Sequence, residues 1–312
     1  MKLVFCGTPQ FAVPTLERLL SENYSIGMAV TNPDEPSGRG YSLGAPPVKQ
    51  AALKAGLRVF QPARLKDPAV QAEITLVKPD AVVVVAYGHL IPEWMINFPP
   101  YGCVNLHASL LPRYRGAAPI PWAIMRGENT TGVTTMKIDR GLDTGDILLQ
   151  EEVEIRRDDT TESLSKRLAT LGAGLMVETL HQLASGEIQP RAQDPDQATL
   201  APILKKEDGA IDWSLTAPEI GRRVRGLRPW PVAHTLFRSR NLRIWSAKQG
   251  GQSPDRLLPP GGLEVEPGKL LAGCGGNSML EITEVQLEGR KRISASEFLN
   301  GARLVPGEKL GG

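Results

Sequence analysis

The 312-residue chain predicts an α/β fold: an N-terminal open, parallel-type sheet with helices on both faces, followed by a smaller C-terminal β-barrel. Three observations carry this reading. In the first half, short apolar runs alternate with segments of helical period, which is the rhythm of βαβ units. The run Ala81-Val-Val-Val-Val-Ala86 shows no polar alternation, as expected of a strand buried on both faces. After about residue 206 the pattern changes to short strand-like runs separated by Gly and Pro clusters, the signature of a small antiparallel barrel.

The elements follow in order. Strand-like Lys2–Cys6 precedes helical Phe11–Ser21, Tyr24–Thr31 precedes Pro47–Ala55, Arg58–Phe60 precedes Pro68–Val77, and Ala81–Ala86 completes the series. Such a Rossmann-like sheet binds ligands beyond the carboxyl ends of its strands. The chemistry-bearing residues should therefore sit just after strands. Cys103–His107 reads as a further strand, a helix runs from after Ala117 to Arg126, and strands over Thr131–Ile138 and Ile147–Ile155 bracket Asp139-Arg-Gly-Leu-Asp-Thr-Gly-Asp146. A long helix over Thr161–Ala184 opens on Asp159-Thr-Thr-Glu162, where Asp or Thr can cap and an acid lies near the positive end. The expected domains are residues 1–188, a linker over 189–206 where periodicity is lost, and a barrel of OB-like pattern over 207–312 that begins with a short helix, Ala217–Gly226. The segment Asn32–Pro47 is too rich in Gly and Pro for a helix and reads as a long loop, with Arg39 and Gly40 at its centre.

Composition excludes several classes. The longest apolar run is too short to span a bilayer, and Lys2–Cys6 lacks the zones of a secretory signal, so a cytoplasmic protein without a membrane partner is expected. Cys6, Cys103 and Cys274 are odd in number and widely spaced, as are His89, His107, His181 and His234; reduced thiols and no metal are expected. From Lys206 onward there are 16 Lys/Arg against 12 Asp/Glu, a balance of +4, whereas the first 205 residues stand at −2. Arg222, Arg223, Arg225, Arg228, Arg238, Arg240 and Arg243 occur with no acid between Glu219 and Asp255, and Trp230 and Trp245 lie among them. An unbalanced Arg run beside aromatics points to a polyanion such as nucleic acid, against the alternative of a solvated face.

At the first strand-to-helix turn, Gly7-Thr-Pro-Gln-Phe-Ala12 keeps only the first glycine of a dinucleotide fingerprint, and Pro9 removes an N–H. NAD binding is disfavoured, and a packing turn is expected. Asn105 and His107 stand two apart on a strand, so both project from one face near its end. Two polar side chains there need partners or a task. Asp143, in the Gly-flanked loop, is the candidate carboxylate, with Asp139 and Asp146 as neighbours able to cap turns. An amide and an imidazolium can donate to an oxyanion while a carboxylate orients the ring, which suits carbonyl-group transfer without a serine nucleophile. Ser109 lies in Ala-Ser-Leu-Leu-Pro, not in a G-x-S-x-G elbow, so a Ser-His-Asp hydrolase is not indicated.

Asn105-x-His107, Ser109-Leu-Leu-Pro-Arg-Tyr-Arg-Gly116 and Asp143-Thr-Gly-Asp146 resemble the three-part signature of the folate-dependent formyltransferases. Phe5-Cys-Gly-Thr-Pro9, Pro36-Ser-Gly-Arg-Gly40, Pro47-Val-Lys49, Val84-Val-Ala-Tyr-Gly88, Arg115-Gly-Ala-Ala-Pro119, Ile211-Asp-Trp-Ser214 and Arg228-Pro-Trp-Pro231 are similar to the branch acting on methionyl-tRNA. The resemblance implies transfer of the formyl group of 10-formyltetrahydrofolate to the α-amine of initiator methionyl-tRNA, with an amino-sugar nucleotide as the alternative acceptor. It implies catalytic roles for Asn105, His107 and Asp143. It places the folate against Tyr87, Gly88, His89, Leu90, Ile91 and Pro92 and against Ser109, Leu110, Leu111 and Pro112. It assigns tRNA contacts to the loop of Arg39 and Gly40 and to the C-terminal domain, where Arg222, Arg223 and Arg225 are the candidates. A monomer is expected.

Overall fold

A computed structural model describes residues 1–37, 42–250 and 258–311. Contacts divide the chain into two compact units, one of residues 1–119, 130–154 and 165–202, the other of residues 120–129, 155–164 and 203–312.

In the first unit the apolar runs become strands β1 (Lys2–Gly7), β2 (Ser25–Val30), a small hairpin β3 (Glu35–Ser37) and β4 (Ser42–Gly44), β5 (Val59–Phe60), β6 (Ala81–Val85), β7 (Cys103–His107), β8 (Thr130–Lys137) and β9 (Ile147–Glu154). Along this part of the chain the helices are α1 (Val13–Ser21), α2 (Pro47–Lys54), α3 (Pro68–Val77), α4 (Glu93–Asn97), α5 (Pro119–Arg126) and, after β9, α6 (Thr161–Ser185), of which residues 120–126 and 161–164 belong to the second unit. The main sheet has the order β5-β2-β1-β6-β7-β8-β9. Its first five strands are mutually parallel, whereas β8 and β9 pair antiparallel. The nine residues joining β8 to β9 are too few for a crossover helix, so the chain returns as a wide hairpin.

β1 and β6 are neighbours, and the chain leaves them in opposite directions across the sheet, which makes their carboxyl ends the switch point where a crevice opens. The Gly-Thr-Pro turn fastens that point. The Thr8 hydroxyl donates to the Tyr87 carbonyl and accepts the Asn32 N–H, both at 3.3 Å, so it ties together the chain leaving β1, β2 and β6. A Cβ on Gly7 would fall 2.9 Å from both Ala12 Cβ and the Val85 carbonyl oxygen, so only glycine permits this approach.

One face of the sheet is buried under α3 and α4 through Val4, Cys6, Met28, Val30, Ile74, Val82, Val84, Met95 and Cys103. Each fully buried aliphatic side chain of this kind is worth about 1.5–3 kcal/mol relative to exposure. On the other face, Leu106 reaches α6, where a Cβ at Gly172 would lie 2.6 Å from Leu106 Cδ2. Thr135 and Thr179 share a buried hydrogen bond of 2.7 Å on that side.

The second unit carries α7 (Ala217–Gly226), β10 (His234–Phe237), β11 (Arg240–Gln249), β12 (Leu263–Glu266), β13 (Lys269–Cys274), β14 (Ser278–Leu287), β15 (Ile293–Ser294) and α8 (Ala295–Ala302). The predicted barrel takes the form of an antiparallel sheet in the order β10-β11-β14-β13-β12, with β15 on β14. Register shifts around Ser246 bend β11 against β14. Capping boxes start both helices: the Glu219 carboxylate accepts from Thr216 N and Oγ1 at 2.8 and 2.6 Å, and that of Glu297 accepts from Ser294 N and Oγ at 2.9 and 2.7 Å.

Candidate active site

β7 lies between parallel β6 and antiparallel β8, with Asn105 opposite Val84 on one side and Met136 on the other, and His107 opposite Thr134. Asn105 and His107 share the face of Cys103, away from Leu106 and α6. His107 is buried, 6% exposed. Its Nε2 lies 2.9 Å from the Tyr114 carbonyl oxygen. A carbonyl only accepts, so Nε2 carries the hydrogen there. Nδ1 faces Asp143 Oδ2 at 3.5 Å, with the two side chains 7% and 14% exposed. The same Oδ2 accepts the Gly116 N–H at 2.8 Å. Asn105 is half-buried, and among the described residues its amide has no hydrogen-bond partner. The three predicted catalytic residues therefore stand at one strand end, with a free amide, the Nδ1 edge of an imidazole and a carboxylate.

The turn after β7 holds this geometry. Ser109 is fully buried and its hydroxyl donates to the Arg113 carbonyl at 2.6 Å, so it braces the turn. Thr134 Oγ1 donates to Ser109 O at 2.6 Å and accepts Leu111 N at 3.1 Å, while Gln150 Nε2 donates to Leu111 O at 2.9 Å. Leu111 lies in a small core with Met136 and Ile147, and the Leu111–Pro112 peptide is cis. Leu110 lies over Gly132, where a Cβ would fall 2.5 Å from Leu110 Cδ2.

The loop bearing Asp143 is closed at its base by Lys137 N donating to Asp146 O at 2.9 Å. Inside it, Asp139 caps the turn by accepting Gly141 N at 2.9 Å and the Thr144 hydroxyl at 2.7 Å. Asp143 itself has a φ of 54°, the left-handed region that non-glycine residues seldom occupy.

The loop Tyr87–Pro92 divides its residues between core and surface. Tyr87 is 2% exposed and turns into the sheet core, its ring 5.2 Å from that of His89. Burial pushes the Tyr87 hydroxyl well above the usual tyrosine range, and the nearby Cys6 adds to this. Gly88 takes a φ of 85°, Leu90 is 75% exposed, and Ile91 packs on the core. The surface this loop offers a ligand is therefore its backbone with the exposed His89 and Leu90.

Residues of the stretch read as a linker bond to this turn and loop, which the sequence did not signal. Arg191 exchanges two backbone hydrogen bonds with Ile147, at 2.8 and 2.9 Å. Gln193 donates to the carbonyls of Asp143 and Gly145 and accepts from Arg115. Thr199 Oγ1 accepts the Tyr114 N–H at 2.8 Å. These contacts join residues dozens of positions apart, and no local pattern marks them.

Arg39 and Gly40 lie outside the described residues. Arg222, Arg223 and Arg225 lie within the described residues. All three are half-buried on α7. Arg225 donates to the Asp159 carbonyl at 2.7 Å, and burial lowers its basicity. Arg223 donates to the Asp208 carbonyl at 3.0 Å, and Arg222 lies against Gly127. Arg223 and Arg225 thus tie α7 to other segments, which a count of charge along the sequence does not reveal, whereas Arg222 Nε is buried without a hydrogen-bond partner among the described residues. Exposed cations occur instead at Arg240 and Arg243 on β11 and at Arg290 and Lys291 beside β14 and β15. Among the described residues, no group of three His, Cys, Asp or Glu could hold a metal ion, and no helix is long and apolar enough to cross a membrane.

Residues 1–180 match the formyl transferase family and residues 203–303 match its C-terminal domain. The chain belongs to the formyl transferase family. A methionyl-tRNA formyltransferase of Acidobacterium capsulatum is 53% identical over 312 residues, covering 100% of each chain. The methionyl-tRNA formyltransferase structure from Clostridium thermocellum matches with a TM-score of 0.56 at 16% identity, covering 92% of this chain and 98% of that one. HypX from Aquifex aeolicus, solved in complex with tetrahydrofolic acid, matches with a TM-score of 0.67 at 16% identity over 99% of this chain, which spans 48% of HypX. Within its family, the chain stands with the methionyl-tRNA formyltransferases.

Proposed function

We propose that the chain transfers the formyl group of 10-formyltetrahydrofolate to the α-amine of initiator methionyl-tRNA, with Asn105, His107 and Asp143 as its catalytic residues. The observation that carries this reading is the meeting of an unbonded amide, an imidazole edge and a carboxylate at one strand end, in a chain whose relatives bear that activity in their names. The folate supplies an activated one-carbon carbonyl. The Asn105 amide donates to the formyl oxygen where negative charge develops. The His107 ring is anchored through Nε2 on Tyr114, so Nδ1 is the edge that turns to the same oxygen. At 3.5 Å the Asp143 carboxylate is too far to take up the Nδ1 hydrogen fully, yet near enough to stabilise a cationic ring. Donors fixed before reaction in a water-poor site are worth about 10²–10³ in rate each. The second Asp143 oxygen accepts a proton from the attacking amine, directly or through water, and as the tetrahedral adduct collapses the bond from the formyl carbon to the folate nitrogen breaks, that nitrogen taking up a proton and leaving as tetrahydrofolate.

The folate rests on the backbone of Tyr87–Pro92, with Leu90, Leu110 and Pro112 along its path. No metal takes part, and the protein acts as a cytoplasmic monomer. The tRNA backbone meets the exposed cations of the second unit, Arg240, Arg243, Arg290 and Lys291. Mass spectrometry of methionyl-tRNA after incubation with the enzyme and 10-formyltetrahydrofolate tests the reading. One added formyl on the aminoacyl end is the expected result. Transfer confined to an amino-sugar nucleotide would defeat it.

A further inference from the structure

The geometry points to Gln193 as the positioning residue of this site: it holds Asp143 in register with His107 from the strap that follows α6, an inference that rests on the formyl-transfer reading. The Gln193 carboxamide is fully engaged. Its two amide hydrogens go to the carbonyls of Asp143 at 2.8 Å and Gly145 at 2.7 Å. Its oxygen accepts Arg115 Nε at 3.0 Å and Nη2 at 2.7 Å. An amide has two hydrogens to give and two lone pairs to offer, and here all four are used.

The hold matters because Asp143 sits at a φ of 54°. A non-glycine residue persists in that region only where its surroundings over-determine it. Asp143 is fixed at two points: Gly116 N binds its carboxylate, and Gln193 binds its carbonyl. The two are coupled through Arg115, which precedes Gly116 and grips the Gln193 oxygen. The same strap fixes the histidine. Thr199 Oγ1 accepts Tyr114 N at 2.8 Å, and Thr199 O and Ala201 N bond the Arg115 backbone at 2.8 Å each. Tyr114 carries the carbonyl on which His107 Nε2 is anchored. One segment thus sets both members of the His107–Asp143 pair, and Gln193 is its contact with the acid. Neither Leu nor Glu can replace it: Leu gives no hydrogen, and an ionised Glu would set negative charge against two carbonyl oxygens.

The full-length variants Gln193→Leu and Gln193→Glu test this, alone and combined with Asp143→Asn. A catalytic group displaced by about 1 Å loses roughly 10²-fold in rate. Gln193→Leu is expected to lower kcat by about 10- to 100-fold while the KM for methionyl-tRNA moves by less than about threefold. Gln193→Glu is expected to be at least as damaging at neutral pH. Its activity relative to the parent should then rise as pH falls, because the introduced carboxyl gains a hydrogen to donate. In the Asp143→Asn background, Gln193→Leu should cost less than about twofold more, as befits residues acting as one unit. Parent-like kcat in Gln193→Leu, or full additivity with Asp143→Asn, would overturn the inference. Should Gln193→Leu fail to fold, the Gln193→Glu pH ratio decides: a rise supports the inference and a flat ratio overturns it. A parent enzyme that transfers no formyl group would instead sink the underlying functional reading.

Discussion

The Nδ1 of His107 faces Asp143 Oδ2 at 3.5 Å, while that oxygen is already held by the Gly116 N–H at 2.8 Å. The carboxylate is thus anchored by backbone and attends the imidazole without capturing it. Asp143→Asn preserves the shape and removes the negative charge beside the imidazole, together with the proton acceptor proposed above. Its kcat is expected to fall by about 10²–10³-fold with little change in KM, because the lost interaction strengthens only as charge develops. Single-turnover formyl transfer measures this. A fall in KM-governed binding with kcat preserved would assign Asp143 to substrate binding.

The loop carrying Asp143 is closed by glycine for a steric reason. A Cβ at Gly145 would lie 1.9 Å from the Lys137 carbonyl oxygen, a backbone atom that cannot turn aside. Gly145→Ala must therefore shift the loop. The expected cost is about 1–3 kcal/mol in stability, with a loss of turnover like that of Asp143→Asn. Gly174 gives the contrast: it is exposed on α6, and nothing lies within 4 Å of its would-be Cβ. Gly174→Ala should stabilise the protein by about 0.5–1 kcal/mol through helix propensity, with activity unchanged. Urea midpoints of the two variants should move in opposite directions.

The sheet and the placing of Asn105 and His107 on one strand face were legible in the sequence because both are written locally. Val82–Val85 is apolar without alternation, and Asn105 and His107 are polar at two-residue spacing on a strand. The antiparallel turn into β8 and β9 was not legible, since strand direction depends on what pairs with β7. Gln193 and Thr199 were hidden for a related reason: they bind partners 50 and 85 positions away through single atoms. The arginines of α7 show the converse. Their charge stands out in the sequence, but the carbonyls of Asp159 and Asp208 that hold Arg225 and Arg223 come from other segments.

Alkaline pH should weaken the first unit through Cys103, which burial pushes from 9.0 up to about 12. The folded state keeps this proton where the unfolded state releases it. Below pH 9 the thiol is neutral in both states and makes no contribution to the pH dependence. Between 9.0 and about 12 the folded state binds more protons, so stability falls as pH rises, at up to about 1.4 kcal/mol per unit. Lys137, whose basicity burial lowers, contributes a slope of the opposite sign just below the usual lysine range. Comparing Cys103→Ala with the parent isolates the thiol: urea unfolding at pH 8.5, 9.5 and 10.5 should show the flatter decline in the variant. Parallel declines would mean that the thiol ionises as easily folded as unfolded.

Salt titration separates the two sets of basic residues. Arg243, Arg290 and Lys291 are exposed, whereas Arg225 is half-buried and bonded to the Asp159 carbonyl. A cation that meets a phosphate releases a counterion, and its removal lowers the slope of log K against log salt by about 0.7–0.9. Arg290→Gln combined with Lys291→Gln should therefore weaken tRNA binding at low salt and reduce that slope by roughly 1.5. Arg225→Gln should leave the slope unchanged and lower the thermal midpoint, because it removes the part-buried hydrogen bond to the Asp159 carbonyl. Unchanged binding in the double variant together with a lower slope in Arg225→Gln would return the tRNA contact to α7.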